Sequence, residues 1–255
     1  AGNVSLAKQL AEKLTGEYAV SPVALDNAAR DADRYLDKLA LEIHQATSAK
    51  PIAPVLMQAP VHIVSAEAQK KSIPDCGNIL SNVTDCDSTE VVVTGDVADA
   101  PIITLSNPIM ATQGQRVAAL FALQHLAKQS SDLASTHWAK LAAYFPVNEQ
   151  QYFYSWLAYE AARKLDNRAL QWYKLAGDTP LSEQQSAWRV RAALRELAWP
   201  EVLAGINAMS AQQQREGVWR YWKARALQAL GSPLEARNLF APLSTEYNFY
   251  GQLAG

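Results

Sequence analysis

The chain has 255 residues, 49% of them hydrophobic and 19% charged, with a formal net charge of −2 at pH 7. That length allows one large domain or two small ones, and the apolar fraction is ample for a packed core. The near-neutral charge gives no whole-chain case for a nucleic-acid partner, and no apolar run reaches the roughly 18 residues of a membrane span.

The first residues, Ala1-Gly2-Asn3-Val4-Ser5-Leu6, lack the basic start and apolar core of a signal peptide, so the chain reads as a mature product or an excised piece. Residues 1–47 are expected to be helical. A first helix is predicted near 4–14, with Leu6, Leu10 and Leu14 on one face. A longer one is predicted over 22–46, with Leu25, Ala29, Ala32, Leu36, Leu39 and Ile43 on one side.

Residues 48–110 differ in composition. They hold six of the twelve prolines and both cysteines, and no Trp, Tyr or Phe. Val61-His62-Ile63-Val64, Val91-Val92-Val93 and Ile102-Ile103-Thr104-Leu105 favour short strands or extended chain. A stretch this long is no ordinary loop, and it is expected to be a non-helical, β-like insertion. Cys76 and Cys86 can close a loop in an oxidising compartment, or stay two free thiols in the cytosol. The segment has no other means of holding itself, which favours the disulfide. No His lies near enough to complete a zinc site. Asp75, Asp85, Asp87 and Glu90 lack the glycine and spacing of a calcium loop. Asn82-Val83-Thr84 is a sequon by chance composition.

Residues 111–255 return to helices and hold all seven tryptophans. Helices are predicted near 113–129, 132–144, 148–165, 167–176, 182–197, 200–208, 210–230 and 233–245. Asn148-x-x-Gln151, Ser182-x-x-Gln185 and Ser210-x-x-Gln213 fit capping boxes. Ser232-Pro233-Leu234-Glu235 supplies a cap, an N1 proline and an N3 glutamate, and Gly231 suits the end of the preceding helix. Trp156, Trp188 and Trp222 recur at intervals of 32 and 34 residues, each in the first helix of a predicted pair. A period in the thirties is the signature of a helical solenoid. Gly231, Ala236 and Phe240 match the small–small–aromatic spacing of a tetratricopeptide repeat. The fold class expected is therefore all-α: a superhelical array of antiparallel helix pairs carrying the insertion.

Catalytic signatures are missing. There is no phosphate loop, no Gly-x-Gly-x-x-Gly, no His-Glu-x-x-His and no Gly-x-Ser-x-Gly. His44, His62, His125 and His137 are scattered and read as surface or packing residues, so neither metal nor cofactor is expected. Charge is uneven: residues 1–110 hold 8 Lys/Arg against 14 Asp/Glu, and residues 111–255 hold 15 against 11. A shift of this size is ordinarily a solvated surface. The functional alternative is a basic lining for an anionic polymer, drawn from Arg189, Arg191, Arg195, Arg220 and Arg225, with Trp199 or Trp219 exposed to stack on a sugar or peptide.

Trp188-Arg189-Val190-Arg191-Ala192-Ala193-Leu194-Arg195, then Trp199, resembles a segment of the soluble lytic murein transglycosylases. So do Trp219-Arg220-Tyr221-Trp222-Lys223-Ala224-Arg225 running on to Gly231, and the closing Glu246-Tyr247-Asn248-Phe249-Tyr250-Gly251-Gln252-Leu253-Ala254. Gly2-Asn3-Val4-Ser5-Leu6-Ala7-Lys8 resembles the family's helical N-terminal region. The resemblance covers roughly 1–47 and 111–255 and is strongest over 182–254. It implies a bacterial periplasmic protein whose parent cleaves the MurNAc–GlcNAc bond of peptidoglycan with one catalytic glutamate, leaving a 1,6-anhydromuramoyl end. In that family a helical superhelix leads into a linker and then a lysozyme-like domain. Here no glutamate is followed by serine, and Val55-Leu56-Met57-Gln58 departs from the family's Gly-Leu-Met-Gln. No catalytic residue carries over. The expected role is a non-catalytic superhelical region that meets glycan strands and docks cell-wall synthesis or remodelling proteins. The alternative is an independent tetratricopeptide-like adaptor for a protein or peptide.

Overall fold

Residues 2–49 and 105–255 are described in a computed structural model of the protein. Among them there are thirteen α-helices, short 3-10 turns and no strand. The Cys76–Cys86 pair, the Val-rich runs, His62, the acidic residues around the cysteines, the sequon and Leu56-Met57-Gln58 lie outside the described residues.

The N-terminal part holds α1 (Gly2–Ala11), α2 (Pro22–Arg30) and α3 (Ala32–Ala49). The single helix expected over 22–46 is thus broken. Asp31 leaves the helical region at φ −151°, ψ 87°. Its Oδ1 accepts from the Arg34 N–H at 3.1 Å, so one aspartate ends α2 and caps α3. Apolar spacing continues across the break, which is why periodicity alone does not reveal it.

After the undescribed stretch the chain rejoins α3 through Asn107. Its amide donates to the Ile43 carbonyl and to Thr47 Oγ1, while its Oδ1 accepts from the Ile109 N–H at 2.9 Å. Five helices follow: α4 (Gln113–Gln129), α5 (Ser131–Leu141), α6 (Val147–Arg163), α7 (Ala169–Leu175) and α8 (Glu183–Arg195). The remainder is α9 (Trp199–Asn207), α10 (Ala211–Arg215), α11 (Gly217–Ala229), α12 (Pro233–Leu243) and α13 (Phe249–Ala254).

Caps fall partly where expected. Ser182 and Gln185 form a reciprocal box. Ser210 accepts from the Gln213 N–H, but the Gln213 side chain reaches the Glu183 carbonyl instead of closing the box. Asn148 is no cap: α6 begins at Val147, after Pro146. Ser232 makes no side-chain cap bond. The helix expected over 210–230 is broken where Glu216 turns extended (ψ 139°), and α11 starts afresh at Gly217.

The tryptophan period has a structural counterpart at the helix ends. Trp156, Trp188 and Trp222 sit on α6, α8 and α11, the first helices of the pairs α6/α7, α8/α9 and α11/α12. Each helix closes through a left-handed residue: Leu165 (φ 62°), Leu197 (φ 52°) and Gly231 (φ 84°), spaced 32 and 34 residues apart like the tryptophans. The hydrogen bonds repeat too. Asp166, Ala198 and Ser232 donate back to the carbonyls of Ala161, Ala193 and Leu227. Leu165, Leu197 and Gly231 donate to those of Ala162, Leu194 and Gln228. This is one Schellman closure used three times. A buried residue then lies in the first turn of each second helix: Ala169, Val202 and Ala236.

Glycine suits that closure, and leucine pays about 1–2 kcal/mol for it. Leu165 and Leu197 are 60% and 64% exposed, so little packing offsets the strain. Leu165→Gly and Leu197→Gly should each raise unfolding stability in urea by about 0.5–1 kcal/mol. Gly231→Ala should lower it by about 1 kcal/mol, since its surroundings are open and only φ opposes the methyl. A loss of stability in both leucine variants would contradict the strain account.

Candidate functional site

The helices scatter the arginines expected to line one basic surface. Arg191 places its guanidinium over Trp188, 5.1 Å from the ring centre, and over Trp219 at 5.4 Å. It therefore bridges α8 and α11 through cation–π contacts. Arg195, one turn on, donates to the Leu165 carbonyl at 2.5 Å and closes the end of α6. Arg220 pairs with Glu246. That hydrogen bond, then one from Asn248, holds the Glu246 carboxyl below its usual range. Arg225 leans on the Tyr221 hydroxyl at 3.5 Å, and Arg189 is half-buried on α8. Four of the five thus have intramolecular partners of different kinds, which answers their charge locally.

The tryptophans are packing residues. Trp219 is 3% exposed, in one core cluster with Val190, Val202, Ile206 and Met209, so the exposed stacking role expected for it is corrected. Trp199 is half-buried at the start of α9 and packs against that cluster, as does Trp222. Trp188 rests on the neighbouring cluster around Ala162, Ala169 and Tyr173.

The closing stretch is built around Tyr221. Its ring lies 5.3 Å from Trp222, 5.7 Å from Phe240 and 5.7 Å from Tyr250. Gly251 is required by space: a methyl there would meet the Glu246 carbonyl oxygen at 2.1 Å. Beside this packed centre, Tyr247, Phe249 and Leu253 present their side chains to solvent.

A cleft that the sequence does not signal lies between α4, α6 and the 178–180 loop. It holds about 690 Å³ and is lined by Val117, Leu120, Phe121, Tyr152 and Pro180, with the amides of Gln113, Gln124, Asn148 and Gln151 and the carboxylate of Asp178 around them. The Glu149 carboxylate at its edge is already satisfied by a two-pronged bond to Arg116, at 2.8 and 3.1 Å. Arg116 also donates to the Met110 and Ala111 carbonyls, which ties the 108–110 turn to α4 and α6. Aromatic faces edged by amides and the Asp178 carboxylate suit a ligand with apolar faces and hydroxyl or amide edges. Spacing could not reveal the cleft, because its walls come from three separated segments.

No protein-family model matches the chain, and no curated protein matches it. Among solved structures, the chain is similar to an inactive variant of the lytic transglycosylase Slt from Pseudomonas aeruginosa. That likeness has 26% identity and a TM-score of 0.49, and it covers 56% of this chain and 24% of that one.

Proposed function

We propose that this chain is a non-catalytic helical region of a periplasmic peptidoglycan lytic transglycosylase, holding the enzyme on glycan strands and docking cell-wall partners. The observation that carries the reading is the stretch 182–254. The residues that resemble the family there are those that build the repeat. Trp188 and Trp222 lie on first helices, Gly231 is in the left-handed turn and Ala236 is buried at the helix crossing. Tyr250 packs on Tyr221, and Gly251 sits against a backbone carbonyl. Within this reading the α4–α6 cleft is the surface for the sugar rings, and the arginines serve mainly to hold the pairs together.

Co-sedimentation with purified sacculi tests it. The chain is expected in the pellet, and Tyr152→Ala with Phe121→Ala should shift about half or more of it to the supernatant. An independent tetratricopeptide-like adaptor would stay in the supernatant from the start. No 1,6-anhydromuropeptides should be released, and their release by this chain alone sinks the non-catalytic reading.

A further inference from the structure

Asp33 and Asp37 lie one turn apart on α3 and so share a face. His137 of α5 meets both. Its side chain is 5% exposed, while those of Asp33 and Asp37 are 51% and 62% exposed. His137 Nε2 lies 2.7 Å from Asp33 Oδ1. An ionised carboxylate only accepts, so Nε2 carries a proton, and in the neutral ring Nδ1 then keeps its lone pair. That Nδ1 is enclosed and has no hydrogen-bond partner. Asp37 Oδ1 stands 3.8 Å from it.

In that neutral form two acceptors, His137 Nδ1 and Asp37 Oδ1, face each other across the gap. A gap of that length exceeds a hydrogen bond, about 2.7–3.2 Å. It suits two bonds of about 2.0–2.2 Å to one shared ion. We propose that His137 Nδ1 and Asp37 are the protein ligands of a divalent transition-metal ion of the Zn²⁺ class, with Asp33 holding the imidazole through Nε2–H. This is a carboxylate–histidine–metal arrangement, in which the outer carboxylate fixes the tautomer and raises ligand basicity. One imidazole and one carboxylate select a borderline cation over Mg²⁺ or Ca²⁺, which prefer all-oxygen shells. Water fills the remaining positions, and the exposed Asp37 side gives entry. Lys140 Nζ, 3.6 Å from Asp37 Oδ1 and 51% exposed, is the competing cation and must swing into solvent. The bound ion joins α3 to α5, helices on either side of the 50–104 stretch in sequence.

Calorimetric titration of the thiol-alkylated 255-residue chain with ZnCl₂, and separately with MgCl₂, tests the site. One Zn²⁺ per chain is expected, with no binding of Mg²⁺. Asp37→Asn and His137→Ala should each weaken Zn²⁺ binding at least about tenfold, Asp33→Asn by about 10–100-fold, and Lys140→Ala should strengthen it. Asp37 is exposed, so its variant gives a reading even if His137→Ala does not fold. Absence of a stoichiometric Zn²⁺ site, or a Zn²⁺ site that Asp37→Asn leaves unchanged, overturns the proposal. A proton shared between His137 and the two carboxylates would then occupy the gap.

Discussion

Replacing Gly114 by alanine is expected to cost about 3 kcal/mol or more of unfolding stability, because two backbones meet there. Gly114 lies in the first turn of α4 and is buried. A methyl on it would sit 1.9 Å from the Ala19 carbonyl oxygen and 2.6 Å from the Ala19 carbonyl carbon. No rotamer change relieves a clash with main chain, so either the 16–18 turn or the start of α4 must move. Moving that turn opens the small core of Ala11, Val20, Leu25 and Ala118, which docks the first helices on α4. Urea unfolding should show the loss, and hydrogen exchange should show it concentrated in residues 2–30. Gly16→Ala is the control. Gly16 has φ +65° with open space around it, so its substitution tests conformation alone and should cost about 1 kcal/mol. Equal costs at the two glycines would refute the close-approach argument.

The repeat was legible in the sequence because tryptophan is rare and its placement is set by packing between successive helix pairs. The left-handed closures nine residues after each tryptophan were not legible. Gly231 announces itself, but Leu165 and Leu197 occupy a position that leucine disfavours. The hydrogen-bonded turn that joins each helix pair overrides the local preference there. The breaks at Asp31 and Glu216 were hidden for a related reason: apolar periodicity reports which face is buried and runs through a one-residue interruption. The arginines show the other limit. Their helices were placed well, but their partners come from elsewhere, as in the pairing of Arg220 with Glu246. The His137–Asp33 contact spans 104 residues of sequence, and no spacing rule reaches that far. The cleft between α4, α6 and the 178–180 loop is equally non-local.

Trp138→Ala is expected to cost about 3–5 kcal/mol, the range for emptying a large aromatic site in a core. Trp138 on α5 is 3% exposed. Its ring lies 4.5 Å from that of Phe153 and 5.1 Å from that of Phe145, both tilted, and meets the Tyr154 ring edge-on at 5.8 Å. One side chain thus joins α5 to α6 and to the 142–145 turn, in the same core as Leu36 of α3 and Leu123 of α4. Alanine would leave a void bounded by rigid rings, which collapse poorly. Phenylalanine should behave differently. The Trp138 indole N–H is buried without a hydrogen-bond partner, so the smaller ring loses some contact area but removes an unsatisfied donor. Trp138→Phe is therefore expected to cost about 1 kcal/mol or less. The two variants, compared by urea midpoint at equal m-value, separate packing from hydrogen bonding. Equal damage from both would mean that the indole N–H has a partner after all. In that case the aromatic cluster is held by polar specificity as well as by apolar volume.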